Sequence, residues 1–85
     1  MSDSLAPTAE AVLLHLCQSV VSAADEVSIE ASEVSEGRIR FDVSVNKDDM
    51  GRVIGRRGRV ASAIRTVVSA AGAKDDVSTE VEFVD

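Results

Sequence analysis

The apolar residues of this 85-residue chain change from helical to alternating spacing and back, in an order that permits few folds. After Pro7 and Thr8, which mark a helix entry, apolar residues recur at helical spacing up to about Ala24. The segment Ser35-Glu36-Gly37 then separates two runs in which apolar and polar residues alternate, and this pattern predicts an antiparallel hairpin. The apolar positions of the two runs are Val27, Ile29 and Ala31, followed by Ile39, Phe41, Val43 and Val45.

The second half of the chain repeats the change of spacing. A short helix is predicted from about Asp48 to Ile54, with Asn46 or Asp48 as its cap and Gly55 as its end. A longer helix follows from about Arg59 to Ala71 and ends near Gly72.

A final strand alternates from Val77 to Phe83, so the predicted order is α-β-β-α-α-β. Three strands with one apolar face require helices to cover that face. The expected fold class is therefore α+β, with a three-stranded sheet covered on one face by helices.

Eighty-five residues suffice for one small domain and leave little room for a deep active-site cavity. We expect residues 1–7 to be disordered and residues 8–85 to form the single domain. The lone Cys17 cannot form an internal disulfide, and the N-terminus has no charged region followed by an apolar stretch. No apolar run approaches the roughly 20 residues that span a bilayer. These features predict a cytoplasmic protein without a membrane partner.

Charge is divided unevenly along the chain. The net charge is −6, yet the segment from Gly51 to Lys74 contains six basic residues and no acidic one. The rest of the chain then has three basic and fifteen acidic residues, a net charge of −12. Because physiological salt screens exposed charges beyond about 8 Å, a ligand on the basic segment is governed by the local cations.

A glycine-bounded loop with flanking arginines lies within this basic segment. Gly55 and Gly58 remove side chains that would keep another backbone at a distance, and Arg56 and Arg57 lie between them. The loop immediately precedes the N-terminus of the third predicted helix, where an anion is favoured. The pattern predicts a site for a phosphate backbone, and hence for nucleic acid.

This helix-loop-helix, with Val53-Ile54 before the loop and the order α-β-β-α-α-β around it, resembles a type II KH domain. The hallmark of that family is a GXXG loop preceded by an aliphatic residue, and Arg56 and Arg57 fill its two variable positions. In size, and in the continuation from Ala63 to Val68, the chain resembles the small bacterial single-KH proteins of the KhpA family. The resemblance covers about Thr8 to Val84. The chain departs from the family in the high content of acidic residues outside its basic segment.

The resemblance implies that the loop clamps the backbone of about four single-stranded nucleotides while the bases lie in an aliphatic groove. The chain has no Tyr or Trp, and Phe41 and Phe83 occupy inward positions, so no aromatic stacking platform is expected. Single-stranded DNA remains an alternative to RNA, because no residue is an evident reader of the 2′-hydroxyl. The residues expected at the nucleic acid are Arg52, Val53, Ile54, Gly55, Arg56, Arg57, Gly58, Arg59, Val60 and Ile64, with Val81 from the last strand.

The third predicted helix has an apolar arc of about 180°, wider than one core-facing stripe. A surplus edge, either Val67 with Ala63 and Ala70 or Val68 with Ala61, is a candidate dimer interface, unless the arc reflects deep burial alone. The resemblance implies self-association or pairing with a larger KH protein of the KhpB type. It also implies a link to cell shape and envelope growth, through RNA chaperone activity or post-transcriptional regulation.

No catalytic, metal or cofactor site is predicted. His15 and Cys17 diverge by about 200° on the first helix, so they do not share a metal. The glycines fit neither the GxxxxGK[ST] phosphate loop nor GxGxxG, in which Val53 would have to be glycine. Three hypotheses follow: an RNA-binding module, which is favoured; a phosphate-handling enzyme; and a protein-interaction domain with an inactive loop.

Overall fold

The computed structural model describes residues 4–84 and confirms the predicted order of elements. The predicted fold class is also confirmed, since helices and one three-stranded sheet form two layers. The helices and strands are α1 (Pro7–Val20), β1 (Ser28–Ser35), β2 (Arg38–Ser44), α2 (Met50–Ile54), α3 (Arg59–Lys74) and β3 (Ser78–Val84), with 3₁₀ turns at Ala24–Glu26, Lys47–Asp49 and Arg56–Gly58.

The sheet has the order β1-β2-β3 and is mixed. β1 and β2 form the predicted antiparallel hairpin, in which Ala31 lies opposite Phe41. β3 runs parallel to β2 and places Val81 beside Phe41. A parallel pair requires a long crossover, which α2, the loop and α3 provide.

The core lies between the helices and one face of the sheet. β2 contributes alternate buried residues, with Phe41 fully buried at its centre, and α1 contributes Leu13 and Cys17. Burial raises the pKa of the Cys17 thiol to about 11, so the thiol is protonated at neutral pH and acts as a packing group.

The N-terminus of α1 is capped by a residue from the far end of the chain. Ala6, which precedes the helix, has no side chain that could cap it. Instead the carboxylate of Asp75 accepts hydrogen bonds from the backbone N–H groups of Thr8, at 3.3 Å, and Ala9, at 3.0 Å. These bonds satisfy two of the donors that a helix leaves unpaired at its start.

The C-terminus of α1 lies earlier than predicted. The helix ends at Val20 rather than near Ala24, because the chain turns there toward the buried Asp49. The Asp49 carboxylate accepts hydrogen bonds from the backbone N–H groups of Ser22 and Ala23, each at 3.0 Å. One carboxylate at the start of α2 therefore fixes the segment that leaves α1.

α3 is longer than predicted, since it passes through Gly72 and ends at Lys74. Gly72 is buried where α3 crosses β3, and a Cβ there would lie 2.8 Å from Cγ2 of Thr79 and 3.0 Å from the carbonyl oxygen of Val77. This glycine permits close helix–strand contact and does not terminate the helix.

Residues 1–7 were predicted to be disordered, and residues 1–3 of this segment lie outside the described range. In the remaining part, Ala6 is fully buried and Oγ of Ser4 donates to Oε1 of Glu10 at 2.8 Å. The single domain from residue 8 to 85 stays a prediction.

Stability is expected to fall in acid because of Asp49. Its hydrogen bonds from Ser22 and Ala23, followed by the one from Arg52, lower its pKa from 3.8 to about 2, against the opposing effect of burial. The folded pKa lies below the unfolded value, so this contribution is complete above about pH 4 and is lost as the pH falls toward 2. We expect the urea midpoint to drop over that interval in the wild type.

The matched variants are Asp49→Asn and Asp48→Asn, measured by urea unfolding from about pH 5 to pH 2.5. Asp49→Asn should be less stable near neutral pH and lose less stability in acid than the wild type. Asp48 is exposed, so its variant should retain the wild-type pH dependence. An equally steep acid dependence in Asp49→Asn would contradict the assignment.

Candidate nucleic-acid interface

The loop from Gly55 to Gly58, called here the GRRG loop, turns the chain between α2 and α3 through three left-handed residues. Gly55 has φ 74° and ψ 178°, Arg57 has φ 55° and ψ 28°, and Gly58 has φ 71° and ψ 16°. The backbone N–H of Gly55 donates to the carbonyl of Gly51 at 2.9 Å, which ends α2. The loop is thus a fixed turn at the start of α3.

Gly55 is required for a steric reason as well as a conformational one. A Cβ at this position would lie 2.4 Å from Cγ2 of Val60 and 2.9 Å from its backbone nitrogen. At Gly58, by contrast, a Cβ would meet nothing within 4 Å. The backbone of Gly55 therefore packs directly on the first turn of α3, and Gly58 supplies only the left-handed conformation.

The arginines near the loop fall into two groups. Nη1 of Arg52 donates to Oδ1 of Asp49 at 2.8 Å and to Oγ of Ser22, so its charge has a carboxylate partner. Arg56, Arg57 and Arg59 are exposed and form no ion pair within residues 4–84. These three, called here the loop arginines, have no competing carboxylate among the described residues, whereas the charge of Arg52 is offset by Asp49.

The aliphatic residues predicted at the nucleic-acid groove differ in how far they are exposed. Val53 is fully buried, and Ile64 and Val81 are 4% and 2% exposed, so all three belong to the core. Ile54 and Val60 are half-buried, and Val60 packs against the backbone of Gly55. Three of the five aliphatic residues predicted at the nucleic acid are therefore buried.

The charged residues of β2 and β3 lie on the sheet face that the helices leave uncovered. Polar residues of β2 and β3 alternate with the buried ones and occupy the sheet face opposite the helices. There Arg38 pairs with Glu80, and Arg40 pairs with Asp42, whose hydrogen bond raises the pKa of Arg40. The ion pairs of the sheet thus lie on one face, whereas the loop arginines, which form no ion pair in the described part of the chain, lie between α2 and the first turn of α3.

Both phenylalanines pack in or against the core of the domain. Phe41 is fully buried, and the half-buried Phe83 lies under Arg65, whose guanidinium carbon is 5.7 Å from the ring centroid. Nε of Arg65 also donates to the carbonyl of Val81 at 3.0 Å. Arg65 belongs to the basic segment but was not predicted as a site residue, because its partners on β3 lie 16 and 18 positions later in the sequence.

A second surface lies between α1 and α3, and it adjoins the loop because Arg59 and Val60 are among its lining residues. The two helices form an apolar groove of about 340 Å³. Val67 is 46% exposed at this groove, and Ala63 and Ala70 of the predicted interface are exposed as well. Val68 and Ala61 are buried, so that edge of α3 belongs to the core of the single chain. The lining residues are Leu16, Ser19, Val20, Arg59, Val60, Ala63, Ile64 and Val67.

The family model for the KH domain of KhpA and KhpB matches residues 10–83, nearly the whole chain. The chain belongs to the KhpA/KhpB KH-domain family. Its three helices and mixed three-stranded sheet agree with the type II KH fold. The predicted family resemblance is thereby confirmed.

Relatives in this family include several proteins named RNA-binding protein KhpA. The one from Listeria monocytogenes is 38% identical over 76 residues, which cover 89% of this chain and 99% of the relative. The one from Streptomyces coelicolor is 41% identical over 76 residues, covering 89% and 91%. The one from Clostridium acetobutylicum is 43% identical over 74 residues, covering 86% and 96%. No solved structure gives a significant match.

Among the residues that the structure describes, no group of three or more His, Cys, Asp or Glu side chains converges as metal ligands. Over the same range, no helix combines the length and the apolar character needed to cross a membrane.

Proposed function

We propose that this protein binds single-stranded RNA, with the GRRG loop clamping the sugar-phosphate backbone and no catalytic step. The observation that carries the proposal is a glycine turn at the N-terminus of α3, beside three arginines that have no carboxylate partner within residues 4–84. Backbone and side chains there both favour an anion. The name of the KhpA relatives, RNA-binding protein, supports RNA as the ligand, and single-stranded DNA is the alternative.

The test is fluorescence anisotropy with a short single-stranded RNA, comparing the wild type with the Arg56→Asp, Arg57→Asp double variant. If the loop arginines neutralise about three phosphates, the log–log salt slope is about −2, and a fourfold rise in salt weakens wild-type binding about 15-fold. The double variant should lose this salt-sensitive binding. Aspartate tolerates the left-handed conformation of Arg57, so the loop should keep its shape.

A charge-matched control separates the loop from the net charge. Lys47→Asp with Lys74→Asp changes the net charge by the same amount, and both lysines are exposed outside the loop. This control should bind RNA more tightly than the loop double variant. If the loop double variant binds RNA as tightly as the wild type, the site lies elsewhere. Repeating the measurement with the DNA oligonucleotide of the same sequence shows whether the protein distinguishes ribose from deoxyribose.

The biological role that we propose is that of a cytoplasmic RNA chaperone or post-transcriptional regulator linked to cell shape and envelope growth. The support is the family membership together with a site that is small, open and positively charged. An open backbone clamp with few base contacts suits many transcripts, because phosphates carry no sequence information.

The apolar groove between α1 and α3 favours a second candidate function, in protein interaction. We propose that a second copy of this chain, or a larger KH protein of the KhpB type, packs on Ala63, Val67 and Ala70. Exposed apolar side chains such as Val67 favour such contact, and pairing two GRRG loops would raise affinity through avidity. The Arg56→Asp, Arg57→Asp variant separates the candidates: if it retains cellular function, interaction and not RNA binding is the primary role.

A further inference from the structure

β1 is an edge strand whose outer backbone groups are open. The sheet order gives it a strand neighbour only on its β2 side, and its ladder with β2 is regular from Ser28 to Glu33, beyond which the register shifts. Within the described part of the chain, residues 28–33 form no backbone hydrogen bond outside this ladder. In β3, the other edge strand, the Val81 carbonyl already accepts a hydrogen bond from Arg65. Since alternate residues of an edge strand direct N–H and C=O away from the sheet, β1 can pair with a further strand.

The helices cover β1 less completely than they cover β2. On the helical face of the sheet, Phe41 and Val43 of β2 are fully buried, whereas their neighbours on β1, Ala31 and Ile29, are only half-buried. A strand added beside β1 would bring its own side chains to within about 5 Å of these two residues, measured between Cβ atoms. The free edge therefore offers apolar contact as well as backbone hydrogen bonds to a strand with apolar residues at alternate positions.

The charges along this edge indicate which kind of strand fits it. Residues 25–36 include five acidic residues and no basic one, and none of the five forms an ion pair within residues 4–84. Glu30 lies on the open face of the sheet directly opposite Asp42, so its cross-strand neighbour is another acid. Glu33 lies opposite the buried Ile39, at the rim of the helical face. Because like charges directly opposite each other are destabilising, basic residues in an added strand would offset both glutamates.

We propose that the free edge of β1 binds an extended basic segment of a partner protein, which adds a fourth strand to the sheet. An antiparallel strand of the type Lys-Thr-Val-Lys-Val fits residues 33 to 29. Its lysines face Glu33 and Glu30, and its valines face Ala31 and Ile29. A second copy of this chain fits less well, because its own β1 would bring the same glutamates to the contact. The proposal is independent of RNA binding, since it uses no residue of the GRRG loop.

The experiment measures binding of two short fluorescent peptides to the full chain by anisotropy. The first has the central sequence Lys-Thr-Val-Lys-Val, and in the second glutamate replaces the lysine that faces Glu30. Wild type should bind the first peptide about fivefold more tightly than the second, and Glu30→Lys should reverse this preference. Hydrogen exchange of the wild type with the first peptide should show new protection of backbone amides within residues 28–33, which attraction between charges alone does not produce.

Asp48→Lys is the matched control, because it changes the net charge by the same amount at an exposed position outside β1, and it should retain the wild-type preference. The proposal is overturned if the wild type binds neither peptide or both equally, if Glu30→Lys keeps the wild-type preference, or if binding leaves the β1 amides unprotected. Protection of these amides in the protein alone, increasing with its concentration, would assign the edge to a second copy and also overturn the proposal. Each of these outcomes leaves RNA binding at the loop untouched.

Discussion

Replacing Gly55 with alanine is expected to lower the free energy of unfolding by about 3 kcal/mol and to abolish RNA binding. The conformation of Gly55, with φ 74° and ψ 178°, lies in a region open almost only to glycine, and leaving it costs about 1–3 kcal/mol. The added Cβ would also lie 2.4 Å from Cγ2 of Val60, and such overpacking costs about 1–3 kcal/mol more. Relief of this clash requires the loop to move off α3, which separates the loop arginines.

Gly58→Ala is the matched control for this prediction. Its Cβ would have open space, so only the left-handed backbone is penalised, at about 1–2 kcal/mol. Chemical unfolding gives the stability of each variant, and anisotropy with single-stranded RNA gives its binding. Equal losses of stability at the two glycines would show that contact with Val60 does not hold the loop.

Replacing Gly72 with alanine is expected to destabilise the protein, although alanine is the better helix former. A Cβ at Gly72 would lie 2.8 Å from Cγ2 of Thr79 and 3.0 Å from the carbonyl oxygen of Val77. The carbonyl belongs to the backbone that leads into β3, so it cannot rotate away. Overpacking of about 3 kcal/mol exceeds the gain in helix propensity of about 1 kcal/mol, which leaves a net loss of about 2 kcal/mol.

Gly51→Ala tests the same substitution without the contact. Gly51 lies in α2, is exposed, and has nothing within 4 Å of an added Cβ. Alanine there should stabilise the protein by up to about 1 kcal/mol, so the two variants should differ by about 3 kcal/mol, or roughly 12–24 °C in Tm. Stabilisation by Gly72→Ala would show that α3 and β3 can separate without cost.

Local signals predicted the elements and the loop well. The alternating residues of β2 and the helical spacing of α1 and α3 depend on neighbours within a few positions, so they indicate each element without knowledge of its partner. The errors occurred where distant residues act. α1 was predicted to be too long because Asp49 binds Ser22 and Ala23, and α3 too short because the contact of Gly72 with β3 is not visible in the sequence.

The residues of the candidate site were likewise predicted only in part. Arg56, Arg57 and Arg59 were predicted at the loop and are exposed there. Arg52 was predicted with them, yet it pairs with Asp49. Helical spacing did not distinguish Val53, which faces the core, from its neighbour Ile54, which stays half-exposed. Their difference depends on where α2 packs.

By itself, the sequence determined the order of elements, the position of the GRRG loop and the concentration of positive charge around it. These follow from hydrophobic spacing, from glycine's access to positive φ and from charge content, all of which are local properties. Only the tertiary structure decided which cations remain available. It holds Arg52 against Asp49, whose carboxylate also binds Ser22 and Ala23, and it anchors Arg65 on β3, while the loop arginines form no ion pair among the described residues. These outcomes depend on where segments distant in sequence pack against each other.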